Sequence, residues 1–452
     1  MRLSRSALSR PTLRSLVVLA LIVAASFAWF GLLPLPPEPT GPVAVAAPSA
    51  SSLARPSVSP SASQLATARP EVTTTRAPIY PALPTTAPLT GTPATRKALW
   101  ARLDSLRATY GLPGISAAIL FADGSMWRGT SGVADVAAKR LVTSDTEFAV
   151  ASISKTFLAA LILALAEEDR LDLEAPVTTY LPELAIDGAI TVHQLLDHTS
   201  GLHDYFYAPD IDKALLADRE RVWTTEDALG YVGKPYFKPG KGWHYSNTNY
   251  LILGMLAEAV GKGPLAEQLH ARFLAPLGLD HTHYQAVDDP LGPLARAYRF
   301  NGPDLDLPAI PLTDETDVVP FTSVVTAAGS AGSIASTAED LVTWARALYG
   351  GRVLAPASLA AMVADVEVTG PFKPSIPYGL GVQAATIDGR PTLGHSGRLL
   401  GSRTVVRWLP DEGIAIAVLT NQSRSDPNLV TQALLRVVLG APRGCTSCSP
   451  PN

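Results

Sequence analysis

Residues 152–168 read SISKTFLAALILALAEE, a small polar tetrad set against an uninterrupted apolar run. From Thr156 onward the run predicts a buried helix, and Ser152 then stands at its N-terminal end. Residues three apart on a helix are neighbours, so Ser152 and Lys155 share a face, and the positive end of the helix favours negative charge developing on the serine oxygen. A hydroxyl so placed can serve as a nucleophile. The same serine also suits a plain helix cap, and Ser-x-x-Lys alone arises often by chance in a chain of 452 residues. Other segments have to decide between the two readings.

Upstream, Arg96–Tyr110 places Leu99, Leu103 and Leu106 at helical spacing and ends at the breakers Gly111, Pro113 and Gly114. ISAAILFA and SMWRGTSG then flank Asp123-Gly124, a pair suited to the positive φ angles of a tight hairpin. The pattern returns near the C-terminus. GLGVQAATI is followed by Asp388-Gly389, TVVRWL and IAIAVLT flank a Pro-Asp-Glu-Gly turn, and a helix over 428–439 closes the domain. Strands at both ends and a helix-rich middle over 153–350 predict an α+β fold: one antiparallel sheet flanked by helices, with an all-helical region inserted. No repeat of solenoid period is present.

The first quarter reads differently. Arg2, Arg5, Arg10 and Arg14 precede an uncharged apolar run from Leu16 to Leu33, the charge order that keeps an N-terminus in the cytoplasm and exports the remainder of the chain. At 18 residues the run exceeds the usual signal-peptide core of about 7 to 15 and suffices for a span. Residues 1–33 are therefore expected to be a membrane anchor, with cleavage near Ala44-Val45-Ala46 as the competing reading; the first leaves the catalytic domain tethered outside the membrane, the second secretes it. Residues 34–95, dominated by Pro, Ala, Ser and Thr, are read as a disordered tether, 96–440 as the folded domain and 441–452 as a tail. In that tail Cys445 and Cys448 could pair as a small exported disulfide. With 36 basic against 40 acidic residues and no basic cluster beyond the N-terminus, nucleic acid is not an expected partner.

Two further stretches carry chemistry. At 245–250 the chain reads Tyr-Ser-Asn-Thr-Asn-Tyr before the helical LILGMLAEAV, so Tyr245 and Asn247 can point together from a loop into a cleft. Gly394-His395-Ser396-Gly397 sits on a strand before TVVRWL, where small residues would let a substrate backbone approach a strand edge. Read blandly, the first is turn polarity and the second a glycine bulge.

Taken together, the three stretches resemble the class C β-lactamase and D-alanyl-D-alanine carboxypeptidase superfamily of penicillin-binding serine hydrolases. Its motifs run Ser-x-x-Lys, Tyr-x-Asn and Lys/His-x-Gly, in that order and at similar separations. LDLEAPVTTYLPEL, LLDHTSGL, FLAPLGLDHT and AGSIASTAEDLVTWARAL add to the likeness, which spans 96–440. The resemblance implies Ser152 as acylated nucleophile, Lys155 as the lysine that lowers its proton affinity, and Tyr245 as the phenol relaying a proton to the leaving group. It implies Asn247 as holder of the substrate amide, and the N–H groups of Ser152 and Arg398 as the oxyanion hole. His395, Ser396 and Gly397 would line the substrate strand.

Many β-lactamases carry a permanently charged lysine where this chain has His395, which resembles the carboxypeptidase and esterase-like branches. A histidine is partly charged near neutrality, so His395 is expected to attract substrate carboxylates and to lose that attraction as pH rises. Arg398 and Arg403 are the other candidates for a carboxylate anchor. The implied activity is acyl transfer through an acyl-serine, foremost removal of the terminal D-alanine from cell-wall peptide stems. An esterase or small-peptide hydrolase, and an inactive muropeptide sensor, are the rivals. No cofactor is implied, a monomer is expected, and the spacings of His193 and His198 around Asp197, and of His281 with His283, match no standard metal-ligand set.

Overall fold

The computed structural model describes residues 89–288, 292–300, 312–314, 322–366 and 373–440. The expected anchor, most of the expected tether, and the Cys445 and Cys448 pair lie outside them.

Helix α1, Pro93–Thr109, starts three residues ahead of Arg96 because Thr92 caps it, its side chain accepting from the Thr95 N–H, and Pro93 takes the first helical position. Strands β1 (Gly114–Leu120), β2 (Met126–Asp135) and β3 (Arg140–Leu141) come next in the chain. The middle of the chain supplies α2 (Ser154–Glu167), α3 (Asn247–Gly261), α4 (Thr322–Gly332) and α5 (Ala338–Tyr349). The C-terminal part adds β4 (Gln383–Ile387), β5 (Arg390–Leu399), β6 (Ser402–Leu409), β7 (Ile414–Thr420) and α6 (Pro427–Leu439). The seven strands form one antiparallel sheet in the order β3-β2-β1-β7-β6-β5-β4. Joining β1 to β7 brings the two ends of the domain together in the middle of the sheet. At the β4–β5 hairpin Asp388 and Gly389 both take positive φ, 51° and 74°.

Both faces of the central strands are covered, so β1 and β7 are buried throughout, with no alternation of apolar and polar residues. On one face Ile115, Ile119, Ile416 and Val418 pack against α1 and α6 through Leu99, Leu103 and Leu434. On the other, Ala118, Ala417 and Leu419 meet the core built by α2 and α5. There Phe157 stacks on Trp344 at 4.1 Å, and the Trp344 indole donates to Thr156 Oγ1. Eleven of the fourteen residues of α2 are buried, which makes it the central helix and gives a stiff base to whatever its N-terminus carries.

The helical region is not purely helical. Phe148–Ala149, Ile334–Ser336 and His283–Tyr284 pair as a small three-stranded sheet, and Tyr298–Phe300 pairs with Leu312–Asp314. Strands of two or three residues have too short a run to show a period, so the sequence gives no sign of them. The three-stranded sheet fixes the chain that enters the Ser152 turn, since the Val150 N–H donates to the Ile334 carbonyl at 2.9 Å.

Candidate active site

Ser152 lies on a single 3₁₀ turn, Ala151–Ile153, that precedes α2 instead of on the first α-helical turn. Ala151 enters this turn with φ of 52°, a left-handed conformation that costs an L-residue about 1–2 kcal/mol. Ser154 offsets part of it by joining both sides: its hydroxyl donates to Ala151 O at 2.6 Å and accepts from the Ile334 N–H at 3.1 Å. Ser154 is thus the structural serine of the tetrad and Ser152 the one left toward the cleft.

Lys155 is completely buried, and Nζ donates to Ser152 Oγ at 3.3 Å, to Asn247 Oδ1 at 2.8 Å and to the Ala331 carbonyl at 2.6 Å. The last acceptor depends on Gly329, whose φ of 43° and ψ of −138° interrupt α4 just before Ala331. Burial lowers the Lys155 pKa to about 7, against a smaller opposing pull from Asp204. Near neutrality a substantial fraction of the amine is therefore unprotonated and able to take the proton of Ser152.

Tyr245 places its ring 5.0 Å from Lys155 Nζ. Its hydroxyl oxygen is buried without a hydrogen bond of regular geometry, while Ser152 is near enough to oppose the rise that burial imposes on the phenol pKa. The phenol consequently stays protonated through the neutral range. Asn247, at the start of α3, is engaged at both ends of its amide: Oδ1 accepts from Lys155, and Nδ2 donates to Asp204 Oδ2 at 2.8 Å. Asp204 is buried, and burial raises its carboxyl pKa against the hydrogen bonds from Asn247 and the Phe206 N–H.

The third stretch departs most from expectation. His395 is buried, its Nδ1 lies 2.7 Å from the Ser396 carbonyl, and its Nε2 lies 3.0 Å from Tyr378 Oη. Burial, reinforced by the positive charge of Lys155, lowers its pKa to about 3. It is a neutral imidazole with no free ring nitrogen, and the expected pH-dependent attraction for carboxylates is corrected accordingly. Ser396 is likewise held by the protein: its N–H and its hydroxyl both reach Gln383 Oε1, at 3.1 and 3.2 Å, and Arg407 donates to the same oxygen at 3.1 Å. A Cβ on Gly397 would stand 2.1 Å from the Val150 carbonyl and 2.3 Å from Thr404 Oγ1. That glycine lets β5 lie directly against the chain leading into the Ser152 turn, and it thereby brings the neighbouring Arg398 to the nucleophile.

The Arg398 side chain is exposed and lies close enough to act on the titration of Tyr207. Arg403 directs its guanidinium to the carbonyls of Leu400 and Ser402 in the β5–β6 turn. β4 pairs with β5 only as far as Gly394, so among the described residues no strand pairs with that edge of β5 along His395–Leu399. Among the histidines set aside as ligands, His193 pairs with Glu174 at 2.6 Å, and His281 and His283 face the buried Glu147 at 3.5 and 3.3 Å.

Sequence reasoning missed Asp204, Tyr378, Gln383 and Arg407. The first stands two residues after LLDHTSGL, between His203 and Tyr205, with no motif to mark it. The other three lie in stretches with no motif.

The profile of the Beta-lactamase family matches residues 99–440. Penicillin-binding protein 4 of Amycolatopsis lactamdurans is 30% identical over 335 residues, which cover 71% of this chain and 84% of that protein. A D-stereospecific amidohydrolase from Streptomyces superposes with a TM-score of 0.63 at 31% identity, over 76% of this chain and 98% of that one. D-amino acid amidase from Ochrobactrum anthropi SV3 does so with a TM-score of 0.66 at 25% identity, over 76% and 98%. The serine hydrolase geometry around Ser152 thus has its counterpart in sequence and in fold, and the chain belongs to the Beta-lactamase family.

Proposed function

We propose that the domain hydrolyses amide bonds of D-configured amino acid amides and short peptides through an acyl-serine intermediate. Ser152 Oγ attacks the carbonyl carbon as its proton passes to neutral Lys155 Nζ. The negative charge formed on the carbonyl oxygen is received by the N–H groups of Ser152 and Arg398. Collapse breaks the C–N bond, and the leaving nitrogen takes a proton from Tyr245, which Lys155 restores. Water then enters, gives a proton to Lys155 and attacks the acyl carbon; the bond to Ser152 Oγ breaks, the acid leaves, and Lys155 returns the proton to Ser152.

The observation that carries the choice of substrate is the neutral, fully engaged His395. A carboxypeptidase needs a cation for the terminal carboxylate, and this residue supplies none. The similarity to a D-stereospecific amidohydrolase and a D-amino acid amidase supports the same choice. Removal of a terminal D-alanine is the second reading, favoured by the exposed Arg398 beside the open edge of β5. The basic and apolar order of residues 2–33 supports an exported, membrane-tethered or secreted enzyme.

The deciding experiment compares kcat/KM for D-phenylalanine amide, L-phenylalanine amide and a peptide ending in D-Ala-D-Ala. Preference for the D-amide is expected. Turnover of the D-Ala-D-Ala peptide alone would establish the carboxypeptidase reading instead.

A further inference from the structure

Four segments that are far apart in sequence meet through polar groups behind Tyr245, and the chemistry of those groups allows one arrangement of their protons. The Ser246 N–H can only donate, and it lies 3.2 Å from His198 Nδ1, so that nitrogen is an acceptor and the His198 proton is on Nε2. The Asn249 amide nitrogen, 3.4 Å from the same Nδ1, agrees. His198 Nε2–H then donates to Tyr378 Oη at 3.2 Å, which leaves the single phenol hydrogen free for His395 Nε2 at 3.0 Å. The Ser396 carbonyl can only accept, so His395 carries its proton on Nδ1. Each donor has one acceptor, and the chain runs in one direction from Ser246 to Ser396. His198 and Tyr378 are fully buried, and their rings pack together at 5.0 Å with Tyr245 and Trp243 around them.

We infer that His198 and Tyr378 are positioning residues, which hold His395 as a neutral acceptor and lock the Tyr245–Asn247 loop to the substrate strand β5. The two walls of the cleft are otherwise carried by different parts of the fold: the loop opens α3 in the helical region, whereas His395 and Ser396 belong to the sheet. A proton added to His395 would place a second hydrogen between Nε2 and Tyr378 Oη, and the phenol would then have to turn its own hydrogen away from β5 toward Tyr250 Oη on α3, which gives its own hydrogen to the Leu196 carbonyl. One added proton therefore reverses the link between Tyr378 and His395 and turns the phenol from β5 to α3. The groups facing His395 oppose that proton as well: Lys155 on α2 and Arg407 on β6 are cationic or partly so, and Tyr245 and His198 offer no negative charge. Tyr378 is faced by Tyr250, Tyr245 and Tyr349, all protonated phenols in the neutral range.

This inference rests on the acyl-serine reading of the site and not on which amide is the substrate, so its test avoids substrates. Nitrogen-15 spectra of the histidine rings in the wild-type domain should show His198 as the Nε2–H form and His395 as the Nδ1–H form, both neutral from about pH 5 to 8. The opposite tautomer in either ring, or an imidazolium at neutrality, overturns the proposal without any variant.

The second arm is Tyr378→Phe, which keeps the ring and its packing. Labelling of Ser152 by a fluorophosphonate probe should show a maximal rate lower by about 10-fold, below the roughly 10²-fold that misplacement by a full ångström costs. The probe concentration at half-maximal rate should move less than about 2-fold, and the His395 Nε2 resonance should shift as its hydrogen-bond donor is lost while the ring stays neutral. An unchanged maximal rate together with an unchanged His395 Nε2 resonance overturns the proposal. A variant that fails to fold leaves the decision to the wild-type tautomers.

Discussion

Lys155 and His395 stand on opposite walls of one cleft, and burial pushes both toward the neutral form, to a pKa of about 7 in the first and about 3 in the second. What they do with neutrality differs. Asn247 Oδ1 and the Ala331 carbonyl take the two hydrogens of the neutral Lys155 amine, so its lone pair turns to Ser152 Oγ, the reacting atom. His395 has both nitrogens tied to the protein, so its neutrality is structural. The same desolvation that makes a base at the end of α2 makes a spacer on β5, and the partners decide which. A perturbed pKa marks a candidate functional group, and whether one of its partners is the reacting atom decides the role.

The hardest test of the α2 wall is Ser152→Ala. Turnover should fall by about 10⁴-fold or more, as for other nucleophiles that act as one unit with their base. The melting temperature should hardly change, because the hydroxyl meets the side chains of Lys155 and Tyr245 and is not the group that braces the turn. Ser154→Ala should behave in the opposite way. Its hydroxyl ties Ala151 to Ile334, and losing two buried hydrogen bonds should cost about 1–3 kcal/mol of stability. A Ser152→Ala protein that melts early would reduce that serine to a cap.

Lys155→Met comes next, with two pH signatures. In the wild type kcat/KM should rise through about pH 7 as the amine loses its proton. For stability the sign comes from the same shift. The folded pKa lies below the ordinary lysine value of 10.5, so between about 7 and 10.5 the unfolded chain binds more protons and wild-type stability gains with pH. The penalty of a buried ammonium is fully present below about 7 and is relieved toward 10.5. Denaturant melts of wild type and Lys155→Met from pH 6 to 10 should therefore diverge in favour of the wild type as pH rises. Parallel curves would mean that the amine is not desolvated.

Tyr245→Phe should lower kcat by on the order of 10²-fold, with a smaller change in KM, since the phenol gives its proton only as the bond to the leaving group breaks. An ester with a good leaving group should suffer less than an amide. Equal losses on both would remove Tyr245 from the relay.

Much of the α2 wall can be read from sequence, and much of the β5 wall cannot. An apolar run as long as Thr156–Ala166 leaves a helix little alternative, and helical spacing then sets Lys155 beside Ser152. The hairpins at Asp123-Gly124 and Asp388-Gly389 are equally legible, because positive φ needs particular residues. The state of His395 has no local cause. Burial and Lys155 keep it neutral, and its Nε2 is held by Tyr378, 17 positions away, which in turn meets His198, 180 positions from Tyr378. Gly397 was legible as a site of close approach, but the sequence does not say that the approaching carbonyl is Val150 rather than a substrate.

The smallest expected effect is a flat line, and it separates the two walls most cleanly. A half-charged histidine of ordinary pKa near 6.5 would weaken binding of a carboxylate-bearing peptide between about pH 5.5 and 8.5, while a neutral ester would be unaffected. With a folded pKa of about 3, His395 carries no charge anywhere in that range, so the ratio of the two KM values should drift by less than about 2-fold. Its titration appears in stability instead. Below the unfolded value of 6.5 the unfolded chain takes up a proton that the folded one refuses until about pH 3, so the domain should lose stability as pH falls through that interval. His395→Gln should remove this share of the acid sensitivity. If the KM ratio instead falls steeply on acidification in the wild type and not in the variant, the imidazole meets the substrate carboxylate after all, and the β5 wall is chemical rather than structural.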